Sequence, residues 1–325
     1  MVEREIGGYL ELERFQGEAL HGDLIALGSG RACLTYLIEL RGIRSIWLPD
    51  YMCDSVRRTC EGLSVGVRTY SVGPSLSPVY DFEPAEGDWL YLSDYFGFLS
   101  ADQVEFALDF SGGRLIVDEV QGFFREPWSG VDTLYSCRKW FGVPDGGYLA
   151  TSKGEVLGRS LPAARSAGRM VHLLGRFEGS ASDYFKLYHE AEESLEGESL
   201  ETMSLLTANL LRAVDYDRVR EARRLNWAVL DSVLGDENLL WEELNRHMPE
   251  VPFMYPLRVD NPVGLRERLA EMGVYIPTLW PNVLCDSTAG FVARSNTAGI
   301  LPLPIDQRYG EEDMHMLINR IRALV

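Results

Sequence analysis

Lysine is nearly missing from this chain. Of 31 lysine and arginine residues among 325, only Lys139, Lys153 and Lys186 are lysines, leaving 28 arginines. Arginine keeps its proton near neutral pH and forms no Schiff base; a lysine with a lowered pKa does both. A chain that carries its positive charge on arginine keeps lysine where an amine is needed. Cysteine is also scarce. Cys33, Cys53, Cys60, Cys137 and Cys285 are odd in number, and no two have CxxC spacing. That argues against a disulfide framework or zinc ribbon and for reduced thiols in a cytoplasmic protein. His172 and His189 lack ligand spacing, which speaks against a metal site. No apolar run reaches the roughly 18 residues that span a membrane. The opening Met1-Val2-Glu3-Arg4-Glu5 is charged, unlike a signal peptide. Internal repeats and low-complexity tracts are missing too. The net charge of -18 disfavours nucleic acid and anionic membranes as partners. It reads first as solubility and leaves room for an anionic small molecule beside local arginines.

What is present is an alternation of helix and strand patterns. Residues 29–41, 54–61 and 101–110 read as helices. Residues 45–48, 65–72, 88–95, 115–120, 133–137 and 148–151 read as strands. This alternation implies βαβ units, so the expected fold class is α/β with a mainly parallel sheet covered on both faces. Residues 182–235 are helical in pattern. Beyond Gly235 a small α/β lobe is expected, with strands at 251–259 and 274–279 and helices at 263–272 and 311–324. The division follows: 1–235 as a large domain carrying the helical segment, 236–325 as a small C-terminal domain.

Two side chains carry the sharpest chemistry. Asp118 ends the apolar run Leu115-Ile116-Val117, so it is poorly hydrated and needs a partner. Twenty-one residues on, Lys139 closes Ser136-Cys137-Arg138-Lys139. A lysine to hold an aldehyde and an aspartate to pair with a pyridinium nitrogen describe a pyridoxal 5'-phosphate (PLP) site. Gln121 lies within reach of a ring hydroxyl. The same Ser-x-x-Lys spacing occurs in serine β-lactamases, but their Ser-Asp-Asn and Lys-Thr-Gly strings are missing here. Gly28-Ser29-Gly30-Arg31-Ala32 opens a helix whose N–H groups and dipole favour a phosphate; an N-cap by Ser29 explains the string equally well. Arg31 places a cation in the first turn, where the dipole disfavours it, and a bound anion would remove that conflict. Loops at the carboxyl ends of parallel strands face the ligand crevice. Two such loops hold Tyr51 and Cys53, either of which suits a flat ring, and Tyr95, where a ligand contact and core packing are both open.

Together these segments resemble the fold type I PLP enzymes, and within them the DegT-type sugar aminotransferases. The resemblance runs from Gly7-Gly8-Tyr9-Leu10-Glu11-Leu12 through Ser29-Gly30-Arg31-Ala32, Pro49-Asp50-Tyr51, Tyr95-Phe96-Gly97, Asp118-Glu119-Val120-Gln121 and Ser136-Cys137-Arg138-Lys139 to Leu301-Pro302-Leu303-Pro304. It implies that Lys139 forms the internal aldimine and moves the proton between Cα and C4′. It implies further that Asp118 keeps the ring nitrogen protonated, Gln121 contacts the ring hydroxyl, and Gly30, Arg31, Ala32 and Ser136 hold the phosphate. Tyr51 or Cys53 would lie on the ring face, and Tyr95 beside it. The active sites of such enzymes lie between two subunits, which implies a homodimer. The chain departs from the family pattern in its three-residue Ser-to-Lys spacing, in arginine at the phosphate turn, in the missing Asn-Tyr-Arg segment and in its shorter length.

The expected activity is transfer of an amino group, from glutamate, to a keto-sugar nucleotide or related small carbonyl compound. Tyr275, Trp280 and Arg308 in the small lobe are candidates for the substrate, Arg308 for an acidic group. A PLP-dependent lyase or dehydratase and a non-catalytic PLP-fold sensor or scaffold are the alternative readings.

Overall fold

The strand that carries Asp118 lies at the centre of a seven-stranded sheet in the computed structural model, which describes residues 6–197, 199–259 and 262–324. The strands are β1 (Ile25–Leu27), β2 (Ser45–Pro49), β3 (Gly66–Tyr70), β4 (Trp89–Ser93), β5 (Leu115–Asp118), β6 (Asp132–Ser136) and β7 (Gly147–Ala150). Their order is β1-β7-β6-β5-β4-β2-β3. The block from β6 to β3 is parallel, and β7 runs antiparallel to both β6 and β1. The expected α/β class with a mainly parallel sheet is the fold found. Leu115, Ile116 and Val117 are buried to within 1%, as a strand covered on both faces must be. The short strand β1 carries too few residues to show a period, and the sequence pattern missed it.

Helices α1 (Gly30–Arg41), α2 (Asp54–Gly62) and α3 (Ala101–Phe110) make the crossovers. Cys33, Leu34, Leu37 and Ile38 of α1 pack with Ile46, Leu48, Ile116 and Leu134 on one face. Leu90, Leu92, Leu115, Val117, Val104 and Ala107 form the core on the other. At its far end, Arg41 ties α1 to the sheet through Asp132 (2.7 Å) and to Glu155 (2.7 Å).

The helical tract comprises α4 (Val171–Glu178), α5 (Phe185–Glu193), α6 (Leu205–Leu211) and α7 (Tyr216–Leu234). The C-terminal part contains β8 (Tyr255–Arg258), α8 (Leu265–Glu271), α9 (Asn282–Cys285), α10 (Phe291–Gly299), β9 (Ile300–Leu303) and α11 (Glu311–Arg322). Strand β8 pairs antiparallel with β9, with Pro256 opposite Pro302. A two-stranded sheet has only edge strands, where proline is tolerated. The strand expected at 274–279 does not form: Val274 N–H closes the end of α8 on the Leu269 carbonyl, and β9 supplies the partner for β8 instead. Trp227, Leu230 and Leu234 in the second half of α7 share one core with Tyr255, Leu257, Leu301, Leu303 and Ile318. No helix among the described residues is long and apolar enough to cross a membrane.

Candidate active site

Asp118 and Lys139 stand at the carboxyl ends of neighbouring strands. Asp118 ends β5, and Lys139 ends the one-turn helix Cys137–Lys139 that follows β6. Each acts on the other's charge: Lys139 lowers the pKa of Asp118, and Asp118 raises that of Lys139. The Asp118 carboxylate accepts from Tyr91 Oη at 2.8 Å and from the Val120 N–H at 2.9 Å. Burial lifts its pKa to about 6 against those two bonds, so it is ionised at neutral pH. Tyr91 escaped the sequence reading. Its signal was an aromatic phenol on a central strand, a group that usually finds a partner when buried.

Lys139 is open to solvent on one side and crowded by protein on the others. Desolvation is the main cause that lowers its pKa; Arg138 and Arg31 act in the same direction, while Cys53 and Asp118 oppose them. Accessible surface and lowered pKa describe one situation, an amine at the wall of a cleft. Such an amine keeps a larger neutral, nucleophilic fraction near pH 7 than an ordinary lysine.

The start of α1 closes the other side. Ser29 caps the helix by accepting from Ala32 N–H at 3.1 Å, and its carbonyl takes the Cys33 N–H. The N-cap reading of the Gly28–Ala32 string is the one seen here. The Gly30 and Arg31 N–H groups, and the Arg31 guanidinium, have no partner among the described residues. Gly30 faces Ser136, and a Cβ built on it would lie 3.7 Å from Ser136 Cβ. Gly147 lets the turn in so close: its own Cβ would stand 2.6 Å from the Ser29 carbonyl carbon and 2.9 Å from Gly30 N. An unpaired cation at a helix N-terminus, two free N–H groups and a serine fit a phosphate. With Asp118 and Lys139 within electrostatic reach of each other, the residues present fit PLP.

The remaining candidates divide. Cys53 is exposed at the start of α2 and lies within electrostatic reach of Lys139. Tyr51 is fully buried, with its ring against Tyr95 (centroids 5.2 Å apart) and Trp280 (4.5 Å). Tyr95 donates its hydroxyl to the Tyr51 carbonyl at 2.6 Å. These three rings form a core, and neither tyrosine turns a face to the cleft. Gln121 is buried and accepts from Phe96 N–H at 2.7 Å, leaving its amide N–H groups for another partner. Arg308 is held by its neighbour Asp306 in two bonds of 2.6 and 2.9 Å. Tyr275 is exposed, and nothing brings it to Lys139.

Small-lobe residues reach the site differently. Gln307 donates to the Trp140 carbonyl at 2.9 Å and accepts from Arg223 Nε at 3.1 Å. The fully buried Arg223 guanidinium lies 4.2 Å from the centre of the Trp140 ring. The Trp140 indole in turn donates to the Val120 carbonyl at 2.9 Å. This clamp locks the Lys139 turn to the strand end after Asp118. Its only trace in the sequence was the Arg223-Arg224 pair inside an amphipathic helix that carries four arginines.

No family model matches the sequence, and no curated protein matches it. Solved structures match by fold. The sugar aminotransferase CalS13 from Micromonospora echinospora superposes with a TM-score of 0.63 at 13% identity, covering 94% of this chain and 88% of that one. The aminotransferase TlmJ from Streptoalloteichus hindustanus gives 0.64 at 17% identity, over 92% and 85%. A DegT DnrJ EryC1 StrS aminotransferase from Brucella abortus gives 0.62 at 16% identity, over 92% and 85%. The β1-β7-β6-β5-β4-β2-β3 sheet and the elements around it thus give this chain the fold of the DegT-type sugar aminotransferases.

Proposed function

We propose that this chain is a PLP-dependent aminotransferase that moves an amino group from glutamate to a keto-sugar or related small carbonyl compound. The observation that supports the reading is that Asp118, Arg31 and Cys53 all lie within electrostatic reach of Lys139, while Gly30 packs against Ser136. When bound, PLP supplies a ring that draws electrons from the carbon losing or gaining the amino group. The protein supplies the rest. Arg31, Ser136 and the N–H groups of Gly30 and Arg31 hold the phosphate and fix the ring's position. Ala32 is the next residue of that first turn. Ionised Asp118, oriented by Tyr91 and Val120, accepts from the ring nitrogen and keeps a proton there. Lys139, its pKa lowered by burial, would hold the cofactor's aldehyde carbon and would carry a proton to and from the reacting carbon. Gln121 has its amide N–H groups free for the ring hydroxyl. Residues from a second copy complete the site in a homodimer, and the exposed Tyr9 and Leu10 near the start of the chain suit burial against that copy.

The test is an absorbance spectrum with added PLP. A band near about 420 nm in the wild type, lost in Lys139→Ala and bleached by glutamate, is expected. A wild type without the band sinks the reading. Turnover with one amino-acid substrate and no acceptor would replace transfer by a lyase reaction.

A further inference from the structure

The hydroxyl of Tyr51 is buried and has no hydrogen-bond partner among the described residues. Four more buried polar atoms share that condition and belong to one neighbourhood: Arg258 Nε, Arg266 Nε, Asn296 Nδ2 and Thr297 Oγ1. Tyr51 is fully buried, and Asn296 and Thr297 are each 1% exposed. Arg258 stands opposite Ile300 where β8 pairs with β9, and its guanidinium donates to Asn296 Oδ1. Arg266 of α8 donates to the carbonyls of Ala298 at 2.9 Å and Ile300 at 2.6 Å, just past Asn296 and Thr297 on α10. Both guanidiniums act on the Tyr51 phenol, and Ala293 and Ile300 belong to the core that holds its ring.

A buried polar atom without a partner destabilises the fold, and five such atoms around the end of α10 call for a shared one. Their chemistry selects it. The two Nε–H groups and the Asn296 amide N–H can only donate. Burial raises the pKa of the Tyr51 phenol, so it is protonated at neutral pH and donates too, as the Thr297 hydroxyl can. A water here would have to donate both its hydrogens, and only the two hydroxyl oxygens could accept them. An anion donates nothing. The surrounding charges bound its valence. Arg258 gives Nη1 to Glu243 at 2.8 Å, and the exposed Glu267 acts on Arg266. Two cations against one paired and one solvent-screened carboxylate suit a single negative charge; a second would go unbalanced away from water. The carbonyls at the end of α10, whose dipole disfavours an anion, are taken up by the Nη groups of Arg266.

We infer that Tyr51, Arg258, Arg266, Asn296 and Thr297 form a site for one small monovalent anion, a halide such as chloride, between the small lobe and the loop after β2. The inference is independent of the aminotransferase reading. The lobe already grips that loop: Asn282 donates to the Met52 carbonyl at 3.1 Å, and Asp50 accepts from the Gly290 N–H at 2.9 Å. A halide held by Tyr51 and the two arginines adds a third tie. It fastens the loop two residues before Cys53, which lies within electrostatic reach of Lys139.

The experiment uses the full chain, with bromide as the probe. Crystals grown in sodium bromide and measured at the bromine absorption edge are expected to show an anomalous peak ringed by Tyr51 Oη, Arg258 Nε and Arg266 Nε. In solution, bromide replaces gluconate at constant ionic strength while the melting temperature is followed. A ligand that binds only the folded chain raises that temperature, so a rise that saturates with bromide is expected. Tyr51→Phe and Thr297→Val each remove one hydroxyl with little change of shape. Each should raise the half-saturating bromide concentration about tenfold. No peak at this place, or a water there instead, overturns the inference. So does a peak without a saturating rise, which marks an ion bound at crystal concentration only. Half-saturation unchanged in both variants puts the solution effect elsewhere and overturns it as well. Should either variant fail to fold, the two wild-type measurements decide alone.

Discussion

Asp94 Oδ2 and Glu119 Oε2 converge on one point beneath the active site, in the space a side chain at Gly122 would fill. Both oxygens are buried and carry no other hydrogen bond. Glu119 is fully buried, and its other oxygen accepts from Trp128 Nε1 at 2.5 Å. Burial first, then the charge of Asp94, holds the Glu119 pKa well above the carboxylate range, against the pull of Arg125 and Trp128. One proton between the two carboxyls satisfies both oxygens. Asp94 also receives the Leu99 N–H at 2.9 Å and gives its own N–H to the Asp118 carbonyl at 3.0 Å. The pair thus joins the loops after β4 and β5 directly behind Asp118.

Stability should therefore fall as pH rises. A carboxyl whose folded pKa is raised contributes stability that is complete below its unfolded pKa, near 4.5, and lost as pH climbs through the folded value. Glu119→Gln keeps a donor facing Asp94 without titrating. Its melting temperature should depend less on pH between 5 and 9 than the wild type's, as scanning calorimetry would show. An equal slope for the two proteins would rule out the shared proton.

Gly122→Ala tests the same geometry by crowding. A Cβ there overlaps Glu119 Oε2 and Asp94 Oδ2, so the carboxyls must separate and each loses its partner. A cost of about 2–4 kcal/mol is expected in urea unfolding. A change below about 0.5 kcal/mol would mean that the turn has slack.

Arg31 has no partner among the described residues and opposes the dipole of α1. Arg31→Ala should leave the melting temperature of the cofactor-free protein equal or slightly higher. It should weaken PLP binding about tenfold to a hundredfold, the scale of one charge-assisted contact. Fluorescence titration with PLP measures the second effect. A destabilised variant with unchanged affinity would give Arg31 a structural role.

The amine of Lys139 should react with acylating reagents at lower pH than an ordinary lysine, whose pKa is 10.5. Asp118 raises that pKa, so Asp118→Asn should move the reaction midpoint further down. Peptide-resolved mass spectrometry after timed acylation reads both. An upward shift in Asp118→Asn would show that the two groups do not sense each other.

Arg223 should matter to the Lys139 turn more than its distance along the chain indicates. Removing it strips hydrogen bonds from the Phe253 carbonyl (2.8 Å) and Gln307 and leaves a hole under Trp140. Arg223→Ala is expected to cost about 2–4 kcal/mol. Gln307→Ala should cost less than half as much while still broadening the pH profile of Lys139 acylation, because it frees the Trp140 carbonyl and Arg223 Nε but leaves the guanidinium under Trp140 and its bond to Phe253 in place.

The strand and helix alternation, the buried run ending at Asp118 and the rarity of lysine at Lys139 were all legible in the sequence. Each is a local signal: a period set by backbone geometry, an apolar run set by burial on two faces, a residue choice set by amine chemistry. Only the tertiary structure decided that Tyr51 and Tyr95 pack edge-on against Trp280 inside the core, because no period says which of two faces an aromatic loop residue takes. It alone showed Arg308 tied to Asp306, Gly147 yielding space to the Gly30 turn, and Tyr91 reaching Asp118 across strands. The register of parallel strands and the docking of α4 and α5 against residues 136–143 bring together side chains that are dozens of positions apart. Such contacts depend on how separate elements pack, and a linear pattern of residues carries no term for that.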